Sequence, residues 1–339
     1  MRTRRSTVTK KPTRNDVARE ARVSGWTVSR VLNDDRTVSI SDETRTRVLD
    51  VARELGYQPN INARALATGR TSTIGFWMCF LYSQYRAHVL HRMQNVMQGS
   101  DFELVIRDIE QELWVDNNLT NVYKIPVDGM IALDSPTAGK TFVRQDRETP
   151  FVSMGAFWAE DRDYVATDLY PGTIDAIRHL VDTGRKHIVH VLPQTGYGAL
   201  TEARCRAYLE VLEAAGLEPH LVETGEVTLS ASWQAVREYV QAHPEVDGVF
   251  CHNDDMAFGA HRALSDSHRR IGQDVALVGC DGIEETEYLS PSLSTIVQPV
   301  DEMCELAWEF LLNRIKNPSI PLQQCILHPR FVARGSSMR

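Results

Sequence analysis

No stretch of this 339-residue sequence approaches the roughly 18 uninterrupted apolar residues of a membrane-spanning helix. Membrane partners are therefore not expected. The basic start, Met1 to Lys11, is followed by no apolar segment, so it does not read as a secretory signal. Cysteine is sparse: six residues (79, 205, 251, 280, 304 and 325), with no C-x-x-C pair. They read as reduced core thiols of a cytoplasmic protein, not as a disulfide framework or a zinc site. Catalytic signatures are missing too: no Walker lysine loop, no nucleophile elbow and no H-E-x-x-H. His187, His190, His252 and His261 lack ligand spacing and read as core or surface histidines. No metal, cofactor or enzymatic activity is expected.

What is present is apolar content of 42%, ample for a buried core in one small module plus one large one. The net charge of −8 argues by itself against a polyanionic partner, but it is unevenly placed. Residues 1–70 hold 15 Lys and Arg against 8 Asp and Glu, a net +7; the rest, with 22 against 37, nets −15. A basic head on an acidic body suits contact with nucleic acid confined to the head.

After a basic tail (residues 1–12), the head reads as residues 13–58. Thr13 precedes Arg14-Asn15-Asp16-Val17-Ala18, a capping pattern with acid in the first turn. Ser24 can cap a second helix, Gly25 to Asn33, whose Val28, Val31 and Leu32 share one face. Asn33 to Arg36 is a turn cluster, and Ser41 opens a third helix ending at Gly56. Two short helices with a packing helix make a helix-turn-helix domain.

The string Asp16-Val17-Ala18, Val23-Ser24, Thr27-Val28-Ser29-Arg30-Val31-Leu32-Asn33, Thr44-Arg45, Arg47-Val48 and Leu55-Gly56-Tyr57-Gln58-Pro59-Asn60 resembles the lactose-repressor/galactose-repressor family of bacterial transcription regulators. The resemblance implies a second helix in the major groove, with Trp26, Thr27, Ser29, Arg30 and Asn33 in DNA contact. Arg30 can bond bidentately to guanine, and Thr or Trp can meet a thymine methyl or a sugar. Core packing beneath the helix is the competing reading of Trp26. Arg22 stands where the family usually has Gly; that turn favours a left-handed residue, so Arg22 is strained, the turn differs, or Arg22 adds a phosphate contact.

Residues 59–70 read as a hinge helix or linker, with Pro before and Gly after. The resemblance implies that it folds when two chains pair on DNA. Leu66 would then wedge into the minor groove, with Asn60 and Arg64 as contacts. A plain linker with Leu66 packed on the core is the alternative.

Over residues 71–339, strand-like runs (Thr73–Phe80, Phe102–Ile109, Val127–Leu133, His187–Leu192, Gly248–His252, Val275–Cys280 and Ser294–Val297) alternate with helical patterns. That is the βαβ pattern of parallel sheets. The resemblance covers this body, through Val246-Asp247-Gly248, Asn253-Asp254, Val278-Gly279…Asp281, Leu293 to Pro299 and Phe331 to Ser337. It implies a two-lobed core like periplasmic sugar-binding proteins, with a ligand cleft between the lobes. The fold expected is thus a small all-α helix-turn-helix domain plus an α/β two-lobed core.

In open parallel sheets ligands bind beyond the carboxyl ends of strands. Asn253 and Asp281 follow two of them, and Arg204 opens the helix after the His187–Leu192 strand. An amide, a carboxylate and a guanidinium suit a polyol. All three match the family's ligand positions, with Asp168, after the strand-like Asp163–Thr167 run, as a weaker fourth; helix caps or interlobe salt bridges are the alternatives. In the loop Phe80 to Tyr85, Tyr82 or Tyr85 can stack on a sugar face or lie exposed, and Arg86 can reach an anionic group. Val227 and Gly282 depart from the family's usual aromatic and acidic residues.

Two rivals have other functions. A dinucleotide enzyme would use Gly196-Tyr197-Gly198, but Thr201 occupies the third glycine position. A transported-solute binding protein explains the body but not the basic head. The expected protein is a transcription regulator, a repressor, binding pseudo-palindromic operator DNA as a homodimer under control of a small effector, a sugar. No leucine heptad follows Arg334, so dimers are expected.

Overall fold

A computed structural model describes residues 12–32, 34–57, 70–79, 83–109, 126–135, 149–193 and 202–338. The chain divides into two compact units, up to Thr71 and from Ser72 onward.

In the first unit, Thr13 and Asp16 form a reciprocal capping box that starts α1 (Arg14–Glu20). Ser24 Oγ accepts from the Thr27 amide at 3.0 Å and starts α2 (Gly25–Leu32). Ser41 does the same for α3 (Asp42–Glu54). Val17, Ala21, Val28, Val31 and Val48 bury their side chains together, with Val23, Leu32 and Tyr57 packed around them. Three short helices, each marginal alone, are held by this shared apolar core. Between α1 and α2, Arg22 has a φ of 55°. The left-handed turn is kept without glycine, at a cost of roughly 1–2 kcal/mol. Sequence reading missed Arg45, whose buried guanidinium donates to Asp35 O at 2.6 Å and fixes the loop after α2.

The second unit holds two six-stranded sheets. The first contains β1 (Thr73–Met78), β2 (Glu103–Asp108), β3 (Gly129–Leu133), β4 (Phe151–Gly155) and β5 (Asp163–Thr167). The chain then passes through α5 (Leu169–Asp182) into the second, with β6 (Ile188–Leu192), β7 (His220–Glu223), β8 (Gly248–Cys251), β9 (Ala276–Asp281) and β10 (Ser294–Val297). Between β1 and β2 lies α4 (Gln84–Met97); α6 (Ala203–Ala215), α7 (Leu229–Ala242) and α8 (Asp254–Asp266) link the strands of the second sheet. Helix α9 (Val300–Lys316) packs back on the first sheet with α4. Then β11 (Gln324–Leu327) joins the first sheet beside β5, and β12 (Arg330–Val332) joins the second beside β10. The chain therefore crosses between the sheets after β5, after β10 and after β11.

Among the described strands, pairing is parallel except for β10 with β12. The strands β4, β7, β11 and β12 were not among the expected runs. The last three lie at sheet margins, and β7 and β11 carry exposed or half-buried residues with no continuous apolar run. Tyr85, read as part of a loop, instead sits in the first turn of α4 and is buried. The sheet-one core joins Phe76, Met78, Met93, Ile131 and Trp308. The second sheet is covered on one face by α7 and α8 and on the other by α5 and α6.

Candidate functional site

The head presents the first turns of α2 outward. Trp26 is 54% exposed, which removes the core-packing reading. The Arg30 guanidinium lies 5.3 Å from the centre of the Trp26 ring. Its Nη1 pairs with Asp35 Oδ2 at 2.5 Å. Thr27 is half-buried, with its hydroxyl 2.9 Å from that of Ser24, and Ser29 is half-buried on the same helix. Asp35 is held below the usual carboxylate range, first by the Thr37 hydroxyl and amide and then by Arg30. Asn33, Asn60, Arg64 and Leu66 lie outside the described residues, as does almost all of the hinge segment.

The larger unit gathers polar groups at the carboxyl ends of β8 and β9. Asn253 caps α8, its Oδ1 accepting from the Met256 amide at 2.8 Å. Its side-chain NH₂ is not used in that cap. Arg204, buried in the first turn of α6, donates from Nη1 to His252 O at 2.6 Å and from Nε to Glu202 Oε1 at 2.9 Å. Burial opposes the Arg204 charge, but the Glu202 carboxylate at 2.9 Å outweighs it and stabilises the cation. Asp281, also buried, ends β9 with a φ of 134°, a strained backbone for a residue with a side chain.

That strain is held from one side. Asp254 Oδ2 accepts the amides of Gly282 at 2.7 Å and Ile283 at 3.1 Å, and its Oδ1 accepts the Thr295 hydroxyl at 2.7 Å. Burial pushes the Asp254 carboxyl up to about 6, and the bonds it accepts from Thr295, Ile283 and Gly282 work against that rise. Burial, and then the charge of Asp254, push the Asp281 carboxyl well above its ordinary range. Arg204 works against that rise.

Gln298, which the sequence reading did not single out, joins this group to the first lobe. Its Nε2 donates to Asp281 Oδ1 at 2.8 Å, and its Oε1 accepts the Tyr85 hydroxyl at 3.0 Å. Gln298 lies in the Leu293 to Pro299 stretch but has no role assigned there; it stands where the chain leaves β10 for α9, and the crossing brings it to Asp281. His252 is also new to the group. Burial and then Arg204 depress it well below the usual imidazole range, so its ring is neutral at pH 7. Asp255 is buried in the first turn of α8, and burial raises its carboxyl above the ordinary range. Arg86 pairs with Asp134 at 3.3 Å. An anionic ligand would have to compete with that carboxylate for it.

Of the predicted residues, Asp281 and Tyr85 are bonded through Gln298; Arg204 bonds to the carbonyl of His252, next to Asn253, and acts on Asp281 through charge, and these four make the candidate set. Asp168 does not join it by any described bond: its side chain caps α5 by accepting the Tyr170 amide at 3.0 Å. Tyr82 and the Gly196 to Thr201 stretch lie outside the described residues. No helix among the described residues is long and apolar enough to cross a membrane. Among them there is also no cluster of three His, Cys, Asp or Glu residues able to hold a metal. The candidate set offers a guanidinium, a carboxyl, amides and a phenol, which can donate to and accept from several hydroxyls at once.

Comparison with known proteins agrees with both halves. Residues 13–60 match the family described as bacterial regulatory proteins, lacI family, and residues 177–337 match the periplasmic binding protein-like domain. The ribose operon repressor of Escherichia coli is 32% identical over 335 residues, covering 96% of this chain and 99% of that one. A solved lacI-family regulator from Enterococcus faecalis with bound ribose is 26% identical, with a TM-score of 0.69 over 78% of this chain and 98% of that one. The lac repressor dimer bound to operator and the anti-inducer ONPF shares the fold, at 23% identity and a TM-score of 0.79 over 97% of this chain and all of that one. Head, two-lobed body and near full-length identity agree: the chain belongs to the lacI family of bacterial regulatory proteins.

Proposed function

We propose that this protein is a repressor that binds a pseudo-palindromic operator as a homodimer and is controlled by a sugar held between its lobes. The observation that carries this reading is the near full-length likeness to a ribose operon repressor; the closeness of the Arg204 and Asp281 charges supports it. The protein works in the cytoplasm, where its DNA is, and performs no catalysis. In each head Trp26, Thr27, Ser29, Arg30 and Asn33 meet the major groove. One such head contacts too few base pairs for useful specificity, and two related by a two-fold axis match a palindrome. Asn60, Arg64 and Leu66 act at the minor groove between the half-sites.

The effector sits against Arg204, Asn253, Asp281 and Tyr85, with Gln298 bridging, and Tyr82 and Asp168 border it. Its hydroxyls replace bonds that these groups now make with one another. Because the set spans both lobes, an occupied site changes the lobe arrangement and with it the pairing of the hinges. Ligand and operator then alter each other's affinity by the same factor. A thermal-shift screen of pentoses, hexoses and their phosphates tests the sensor half, since a true ligand raises the melting temperature by mass action. Gel shifts on genomic fragments against random competitor test the DNA half. No melting shift with any sugar overturns the effector class, and no preferred fragment overturns the regulator.

A further inference from the structure

Resting on the reading that α2 enters the major groove, we propose that Asp35 is a positioning residue for DNA recognition: fixed by its own bonds, it holds the Arg30 guanidinium against the Trp26 ring and aims its remaining N–H edge at a guanine.

Asp35 is constrained on every side. Its amide donates to Arg30 O at 2.9 Å, closing the end of α2. Its carbonyl accepts the buried Arg45 Nη2 of α3 at 2.6 Å. Its Oδ1 accepts the Thr37 amide at 2.9 Å and the Thr37 hydroxyl at 2.6 Å. Only Oδ2 is left, and it takes Arg30 Nη1. The guanidinium also lies over the Trp26 ring, 5.3 Å from its centre, and Trp26 is more than half exposed. An arginine on a helix surface otherwise samples many rotamers. Here one nitrogen is committed, and the Nε–Nη2 edge makes no other hydrogen bond among the described residues. That edge is the fork that matches guanine O6 and N7.

The Arg30–Asp35 pair itself adds little to folding, because Arg30 is exposed and such pairs contribute little to stability. It also has a cost at a DNA surface, where a carboxylate repels phosphate on every sequence alike. The gain appears only where a guanine receives the oriented arginine. Asp35 therefore raises discrimination at the expense of general affinity.

The test uses full-length protein and duplexes enriched by it from a random-sequence pool. Dissociation constants are measured at one salt concentration for the best duplex, its single-base-pair variants and random competitor. Arg30→Ala identifies the base pair that Arg30 reads. Asp35→Asn is expected to lower discrimination at that pair about tenfold while binding random competitor as tightly as wild type or more tightly. Thr37→Val, which removes the hydroxyl anchor alone, is expected to do the same to a smaller degree and serves if Asp35→Asn melts early. In an Arg30→Ala background, Asp35→Asn should change discrimination no further; a role in the loop's structure alone would still weaken all positions. Discrimination retained by Asp35→Asn, or lost evenly at every position, overturns the positioning role. An Arg30→Ala protein that still discriminates at every position removes α2's arginine from the readout and the proposal with it.

Discussion

Gln298 donates its side-chain amide to Asp281 at 2.8 Å from the point where the chain crosses between the sheets. The same amide group accepts the Tyr85 hydroxyl from the other lobe, so a ligand that engages Asp281 acts on a bond that spans both lobes. Replacing Asp281 by Ala should leave operator binding intact and remove the effector response. Gel shifts with and without the sugar found by thermal screening check this; a normal response would place the sensor elsewhere. Tyr85→Phe removes one hydrogen bond and should weaken the effector about fivefold, the value of roughly 1 kcal/mol.

His190 is fully buried between Phe250 and Tyr208, and its Nδ1 donates to Phe250 O at 3.2 Å. Burial pushes its pKa from 6.5 down to about 4. The unfolded chain therefore takes up a proton below pH 6.5 that the folded chain refuses until about pH 4. Stability present above pH 6.5 is lost as the pH falls through that window, by about 3 kcal/mol for this one group. Melting temperatures of wild type and His190→Asn across pH 7 to 4 should converge as the pH falls, because carboxylates common to both cancel in the comparison. Parallel curves would show that His190 does not titrate this way.

Arg22 holds a left-handed conformation that glycine adopts at no steric cost. Arg22→Gly should stabilise the head by about 1 kcal/mol, the steric relief less the added freedom of the unfolded chain. Hydrogen exchange of the Val23 amide, which bonds to Ala18 O at 3.0 Å across this turn, reads the effect in the intact protein. Exchange that is unchanged or faster would mean that the side chain of Arg22 compensates the strain.

Leu66→Ala should reduce operator bending while leaving the fold unaltered, because a wedge that unstacks a base step is worth a few kcal/mol of contact elsewhere. Circular-permutation gel assays measure the bend. An unchanged bend angle would make residues 59–70 a linker only.

Much of the head was legible in sequence because its signals are local. Thr13, Ser24 and Ser41 each cap the helix they precede, and Val17, Val28 and Val48 follow helical spacing. In the body, buried strands such as β3, β6 and β9 announce themselves as apolar runs, whereas β7, β11 and β12 do not. Those short strands form only because a neighbouring strand already presents its hydrogen-bonding edge.

The site divides in the same way. Asn253 and Asp281 could be named from the strands they follow, and Arg204 from the helix it opens. Gln298, His252, the Asp254 brace and the burial of Tyr85 could not, because each depends on segments tens to hundreds of residues apart meeting at a lobe crossing. Local patterning specifies helices, caps and core strands, since those energies arise between neighbours in the chain. Which polar groups share one buried environment, and so which carboxyl is lifted and which arginine is held, was decided only when the two sheets were joined by their crossings.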